Sequence, residues 1–165
     1  MKASSPIRVL AIASAGGHWV QLRRLEPAWE GCSVAYVTTS ESRRKELMYE
    51  TDSKGQKAPA FYVVVEASRW QKFKLFCQFL QIISILFKVR PHIVISTGAA
   101  PGFFALRIGK LLGARTIWVD SIANAEELSL SGKKVGACAD LWLTQWKHLS
   151  SSNDQKSPRY EGSVI

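Results

Sequence analysis

At 165 residues, with 47% apolar and 21% charged positions, the chain is long enough for one domain with a proper core and is not a disordered segment. Lys and Arg outnumber Asp and Glu by 22 to 13, a net charge of +9 that favours an anionic partner: nucleic acid, acidic phospholipid or a phosphorylated substrate. Cys32, Cys77 and Cys138 sit in apolar runs without metal-ligand spacing, so they read as buried free thiols from a reducing compartment.

Lys2, the apolar run Val9 to Ala13 and the triplet Ala13-Ser14-Ala15 imitate a cleavable signal peptide. The run is too short and Arg8 abuts it, so a buried first strand over 8–13 is expected instead. A helix follows over 18–29, with Val20, Leu22, Leu25 and Trp29 apolar and Pro27 near its end. The β-branched run 33–39 predicts a second strand, 43–49 a short helix, and 61–65 a third strand. Further strands are expected at 93–96, 116–120 and 140–144. Helices are expected at 70–89, 102–112 and roughly 125–136, the last interrupted at Gly132. Alternating helices and short apolar strands predict an α/β domain over 1–165, a parallel sheet with helices on both faces. A polar tail occupies 150–158, and 159–165 reads as a further strand or a docking segment.

Two strands run into glycine-bearing turns: Ser14-Ala15-Gly16-Gly17-His18, and Ser96-Thr97-Gly98-Ala99-Ala100-Pro101-Gly102. A strand that ends in such a turn at a helix N-terminus makes an anion site, because N–H groups converge there and glycine lets a phosphate approach. Ligands of parallel sheets sit at the carboxyl ends of the strands, where both turns fall. His18 is a candidate general base or phosphate donor, or else a capping or packing histidine. Asp120 is a candidate catalytic or hydroxyl-binding acid, or else the cap of the next turn. His92 and His148 read as structural, and no metal-ligand cluster is present. The P-loop and the complete G-x-G-x-x-G are absent, so neither a P-loop nucleotidase nor a dinucleotide site is expected.

The stretch 70–89 has an uncharged run of thirteen residues, Leu75 to Phe87, too short to cross a bilayer, which takes about 20. Lys74, Gln78, Gln81 and Lys88 fall on one narrow face. Phe73, Phe76, Phe79, Leu80, Ile83, Leu86 and Phe87 cover the rest, and Arg69, Lys72, Lys74, Lys88 and Arg90 flank the run. This is the pattern of a helix lying in an anionic membrane interface, with burial against a partner subunit as the alternative.

Ser14-x-Gly16-Gly17-His18 with Gln21-Leu22, the run Arg90 to Gly98, Leu128 to Lys133, Ala139 to Trp146, and Tyr160-Glu161-Gly162 occur in the order found in one family. The chain resembles the PssD type of polysaccharide glycosyltransferase subunit and its eukaryotic counterpart Alg-fourteen, the membrane-anchor subunit of a lipid-linked N-acetylglucosaminyltransferase. It is also similar to the acceptor half of MurG-like GT-B enzymes.

The resemblance implies a Rossmann-like domain, half of a GT-B glycosyltransferase. It implies a UDP-sugar-dependent transfer onto a polyprenyl-diphosphate-linked saccharide in polysaccharide or lipid-linked oligosaccharide synthesis. The UDP-sugar would be a co-substrate held mainly by a separate PssE or Alg-thirteen type subunit, with no other cofactor. Ser14, Gly16, Gly17, Thr97 and Gly98 would cradle the acceptor diphosphate, and His18 and Asp120 are the candidates for the acceptor hydroxyl. Trp70, Phe73, Phe76, Phe79, Leu80, Ile83 and Phe87 would face the membrane, at the cytoplasmic face of the inner membrane, as a peripheral or monotopic protein. Three features depart from the family. The first strand begins by residue 7 with no transmembrane helix before it, Ser121-Ile122-Ala123-Asn124 carries no basic residue, and Trp19 is bulkier than the family's hydroxyl residue. Rival readings are a basic nucleic-acid-binding module, disfavoured because no basic stripe with interleaved aromatics exists, and a free-standing nucleotide-binding enzyme.

Overall fold

The computed structural model describes residues 5–53, 55, 57–150 and 157–164, so most of the expected polar tail and Ile165 lie outside the described residues. Seven strands form one sheet, all parallel: β1 (Arg8–Ile12), β2 (Ser33–Thr38), β3 (Ala60–Val63), β4 (Ile93–Ser96), β5 (Arg115–Val119), β6 (Leu141–Thr144) and β7 (Arg159–Tyr160). Their order across the sheet is β3-β2-β1-β4-β5-β6-β7. The helices are α1 (Gly17–Arg24), α2 (Ser42–Ser53), α3 (Lys72–Val89), α4 (Ala99–Leu111) and α5 (Leu130–Val135).

Side chains alternate across the sheet, and each set feeds a separate core. In β1, Leu10 and Ile12 join Ile82 and Leu86 of α3, Ala105 and Leu106 of α4, and Val135 of α5. Val9 and Ala11 point the other way, toward Trp19 and Leu22 of α1, Trp29 just after it, and Leu47 of α2. Helices therefore cover both faces, and a continuous apolar strand such as Val9-Leu10-Ala11-Ile12 is what burial on both sides requires. Trp19 is buried, with its ring edge-on to Tyr36 and Phe61 at centroid distances of 5.7 and 5.8 Å. Its bulk is spent in the core, against Tyr36 and Phe61.

Three boundaries depart from expectation for local reasons. The helix expected over 18–29 ends at Arg24, and Glu26–Trp29 is a separate 3-10 turn. Pro27 lacks an N–H and its ring would strike the carbonyl four residues back. The second glycine turn enters α4 three residues early, at Ala99, because Pro101 is tolerated in a first turn where its N–H has no partner to lose. The helix expected over 125–136 starts only after Ser129. Ser129 Oγ accepts from the Gly132 N–H at 2.8 Å, so Gly132 lies in the first turn of α5 and does not interrupt it. The terminal segment does add a strand: Tyr160 pairs with Thr144 at the sheet edge. The three cysteines are free and half-buried.

Candidate active site

The strand order reverses between β1 and β4, and both glycine turns leave the sheet at that switch point, where open α/β sheets bind ligands. The two turns interlock. His18 Nδ1 donates to the Thr97 carbonyl at 2.9 Å, and Thr97 Oγ1 donates to the His18 carbonyl at 2.6 Å. A carbonyl only accepts, so Nδ1 carries the ring proton, and Nε2 of the neutral ring is an acceptor with no hydrogen bond among the described residues. Burial pushes the imidazole below its ordinary value. The Thr97 carbonyl and the charge of Asp120 act in the opposite direction but do not cancel it. The ring is therefore neutral and able to take a proton at neutral pH.

Gly98 is the seat of this ring. Its φ of 146° lies where side chains are rarely found, and a Cβ built there would collide with His18 Nδ1 and Cε1. Its N–H is taken by Ser96 Oγ at 3.2 Å. Ala99, next in the chain, is a non-glycine residue with φ 67°, so the entry into α4 is strained beside the ring. Thr97 and Gly98 thus turn their polar groups to His18 and Ser96. The first turn differs: Gly16 and Gly17 are exposed and nothing lies within 4 Å of an added Cβ at either. The first-turn N–H groups of Gly17 and His18 have no intrahelical carbonyl to reach.

Ser14 is half-buried ahead of this turn. Sequence reasoning missed what braces it. Ala15 N–H donates to Thr39 Oγ1 at 3.1 Å, and Arg43 Nε, from the start of α2, donates to the Ala15 carbonyl at 3.0 Å. Arg43, whose Nη1 also pairs with Glu46 at 2.7 Å, brings its guanidinium to the turn's edge from a segment that reads only as charged and polar.

Asp120 sits at the end of β5, 1% exposed. Its carboxylate accepts from Ser129 N–H at 2.9 Å, Ser129 Oγ at 2.6 Å, Asn124 Nδ2 at 3.4 Å and Trp118 Nε1 at 3.4 Å. These bonds tie 121–129 into a loop and aim α5, which is why that stretch is not helical. A second network, also missed, lies beneath: Gln145 Nε2 donates to Gln21 Oε1 at 3.0 Å and to the Asp120 carbonyl at 2.9 Å. Gln21 Nε2 donates to Ser121 Oγ at 3.2 Å, and the Val164 N–H donates to Gln145 Oε1 at 2.8 Å. The only sequence-level signal was that Gln21 and Gln145 stand beside apolar neighbours in the quoted motifs.

α3 presents Trp70 (79% exposed, just before the helix), Phe73 (79%), Phe76 (57%), Leu80 (48%) and Phe87 (58%) to the outside. Phe79 and Ile83 are half-buried, Phe79 edge-on to Phe104 at 5.5 Å. The expected polar stripe is divided. Gln78 is fully buried, its Nε2 donating to the Val65 carbonyl at 2.7 Å, while Gln81 Oε1 accepts from the Val65 N–H at 2.8 Å. Both amides thus serve the backbone that leaves β3, Gln78 from the buried side of the helix and Gln81 from an exposed position. Among the described residues no helix is long and apolar enough to cross a membrane.

A family model described as "Oligosaccharide biosynthesis protein Alg14 like" matches residues 10–164, taking in both turns, Asp120 and Gln145. The chain belongs to the Alg14-like family. The UDP-N-acetylglucosamine transferase subunit ALG14 of Yarrowia lipolytica is 33% identical over 89 residues, 50% of this chain and 39% of that protein. Among solved structures, MurG of Acinetobacter baumannii superposes with a TM-score of 0.67 at 15% identity, over 90% of this chain and 44% of MurG. A UDP-N-acetylglucosamine 2-epimerase from Rickettsia bellii superposes at 0.65 and 13% identity, over 96% of this chain and 45% of the epimerase. The Alg14-like chain therefore spans under half the length of each of these proteins. Its fold is the Rossmann-like unit of GT-B glycosyltransferases, and since an epimerase shares that unit, the fold does not choose the reaction.

Proposed function

We propose that this Alg14-like chain is the acceptor-binding subunit of a UDP-sugar-dependent glycosyltransferase that extends a polyprenyl-diphosphate-linked saccharide. A separate PssE or Alg-thirteen type subunit holds the nucleotide sugar and is brought by this chain to the membrane. The observation that carries the reading is the seated His18: a neutral imidazole whose Nε2 takes no hydrogen bond among the described residues, beside the exposed Gly16-Gly17 turn at the switch point. The Alg14-like match, the net charge of +9 and the exposed aromatic face of α3 support it. The match to the UDP-N-acetylglucosamine transferase subunit of Yarrowia lipolytica favours N-acetylglucosamine as the sugar.

In this mechanism the acceptor diphosphate rests on the N–H groups of Gly17 and His18, aided by the dipole of α1 and the charge of Arg43. Ser14 and Gly16 shape the approach. The acceptor hydroxyl gives its proton to His18 Nε2 as its oxygen attacks the anomeric carbon. The bond to the nucleotide's β-phosphate oxygen breaks, and UDP departs with the electron pair. Thr97 and Gly98 hold the base. Asp120 is a positioning residue that shapes loop 121–129 and adds negative charge favouring the imidazolium. Trp70, Phe73, Phe76, Leu80 and Phe87 rest in the cytoplasmic leaflet of the inner membrane, a peripheral or monotopic attachment. The test is reconstitution with the donor subunit, UDP-sugar and lipid-linked acceptor. The chain alone shows no transfer and the pair does. Full activity of the chain alone breaks the division of labour, and an inactive pair breaks the whole reading.

A further inference from the structure

At the opposite end of the sheet, where β1, β4 and β5 begin, lies a groove of ≈ 790 Å³ that the proposed reaction does not use. Arg8, Arg90, His92 and Arg115 line it, and no lining residue is acidic. None of the three arginines forms an ion pair among the described residues. One wall is fixed: Arg8 Nε donates to the Arg90 carbonyl at 2.8 Å, and the Arg8 N–H donates to His92 Nδ1 at 3.1 Å. With Nδ1 accepting, the neutral His92 ring carries its proton on Nε2 and adds a further donor. Arg90 closes α3 in the left-handed conformation, φ 47°, a position that glycine or asparagine normally takes. A strained arginine where glycine would be easier points to a use for its side chain.

The other half of the groove is apolar and wet. Phe87 is 58% exposed, Ile7 51% and Leu112 47%. Phe87 also ends the exposed stripe of α3 that runs through Phe73, Phe76 and Leu80, so the groove opens onto that same surface. We propose that this groove binds the headgroup of an anionic phospholipid, with the phosphate on the arginines and the upper acyl chain against Phe87, Ile7 and Leu112. Guanidinium groups match phosphate oxygens in pairs. A free phosphate would use the cations and leave the apolar half in water, whereas a phospholipid satisfies both. The proposal rests on the reading of α3 as the membrane face.

The test is co-sedimentation of the full chain with phosphatidylcholine vesicles, with and without phosphatidylglycerol. R90Q/R115Q is compared with R24Q/K45Q, which removes equal charge from exposed positions on α1 and α2. The groove pair loses roughly tenfold or more in partition onto phosphatidylglycerol vesicles, and the control pair less than about twofold. Equal losses overturn the groove while leaving the α3 reading intact. F73S/F76S loses binding to both kinds of vesicle; if it keeps full binding, the α3 reading and the groove fall together. A titration of the labelled wild-type chain needs no variant. Soluble dihexanoyl-phosphatidylglycerol shifts the amides of residues 8, 90, 92 and 112–115, and inorganic phosphate does not reproduce this. Shifts confined to the glycine turns, or an equal response to phosphate, overturn the proposal.

Discussion

The two glycine turns look alike in sequence and do opposite things. At the first, Gly16 and Gly17 are exposed with open space where a side chain would stand, at the start of a helix. At the second, Gly98 is buried in a left-handed conformation with the His18 ring seated where a side chain would stand. One turn is open to the outside, and the other is already filled by the imidazole. A Gly-rich turn after a strand therefore identifies the end of the sheet that binds ligand, but not which N–H groups are left to bind it.

The sharpest way to break the comparison is Gly98→Ala. The methyl group meets both a positive φ and the imidazole, so the variant loses roughly 2–4 kcal/mol of stability. It also loses nearly all transfer in the reconstituted pair, since His18 is displaced. Urea unfolding and single-turnover transfer measure the two effects. A stable, active variant would mean that the ring has another place to sit.

Much of this geometry was legible beforehand. The strands were readable because burial on both faces makes them short and uniformly apolar, and the two turns because strand, glycine and helix follow one another directly. What stayed hidden depends on contacts between distant segments. Nothing local shows that Gln145 meets Gln21 and the Asp120 carbonyl, or that Arg43 reaches Ala15. Gln78 reads as part of a solvent face until the β3 edge supplies the Val65 carbonyl it satisfies. The start of α5 was available in the sequence, as Ser129 before Leu130 is an N-cap pattern, but a longer helix from 125 ignored the pull of Asp120 on Ser129.

Next in size is His18→Gln, which removes the base and keeps a polar group on the second turn. Here kcat of the pair falls by about 10²–10⁴ with KM nearly unchanged. Stability shifts by only about 1 kcal/mol, the scale of one hydrogen bond. In the wild type, the acid limb of the kcat/KM profile lies below the ordinary histidine value of 6.5, because burial favours the neutral ring. Stability follows the same titration. The unfolded ring protonates first as pH falls through 6.5, so the contribution of the neutral ring is present above 6.5 and is lost as pH falls toward the folded value. An acid limb at or above 6.5 would remove His18 from the proton transfer.

The smallest effect sharpens the contrast most. Gly17→Ala adds a methyl group into open space at the first residue of α1. The folded protein has no objection. Alanine suits a helix better, and stability rises by as much as about 1 kcal/mol or does not move. Among the described residues the methyl group meets nothing, so it probes only the proposed ligand of the turn. With a diphosphate held there by its N–H groups, KM for the lipid acceptor rises roughly tenfold, the loss of about 1.5 kcal/mol from one charge-assisted hydrogen bond, while kcat holds. An unchanged KM would leave the first turn as open as it looks and move the diphosphate elsewhere. Gly98→Ala and Gly17→Ala therefore separate a glycine required by the fold from one required by the substrate, using the same added methyl group at two ends of one interlock.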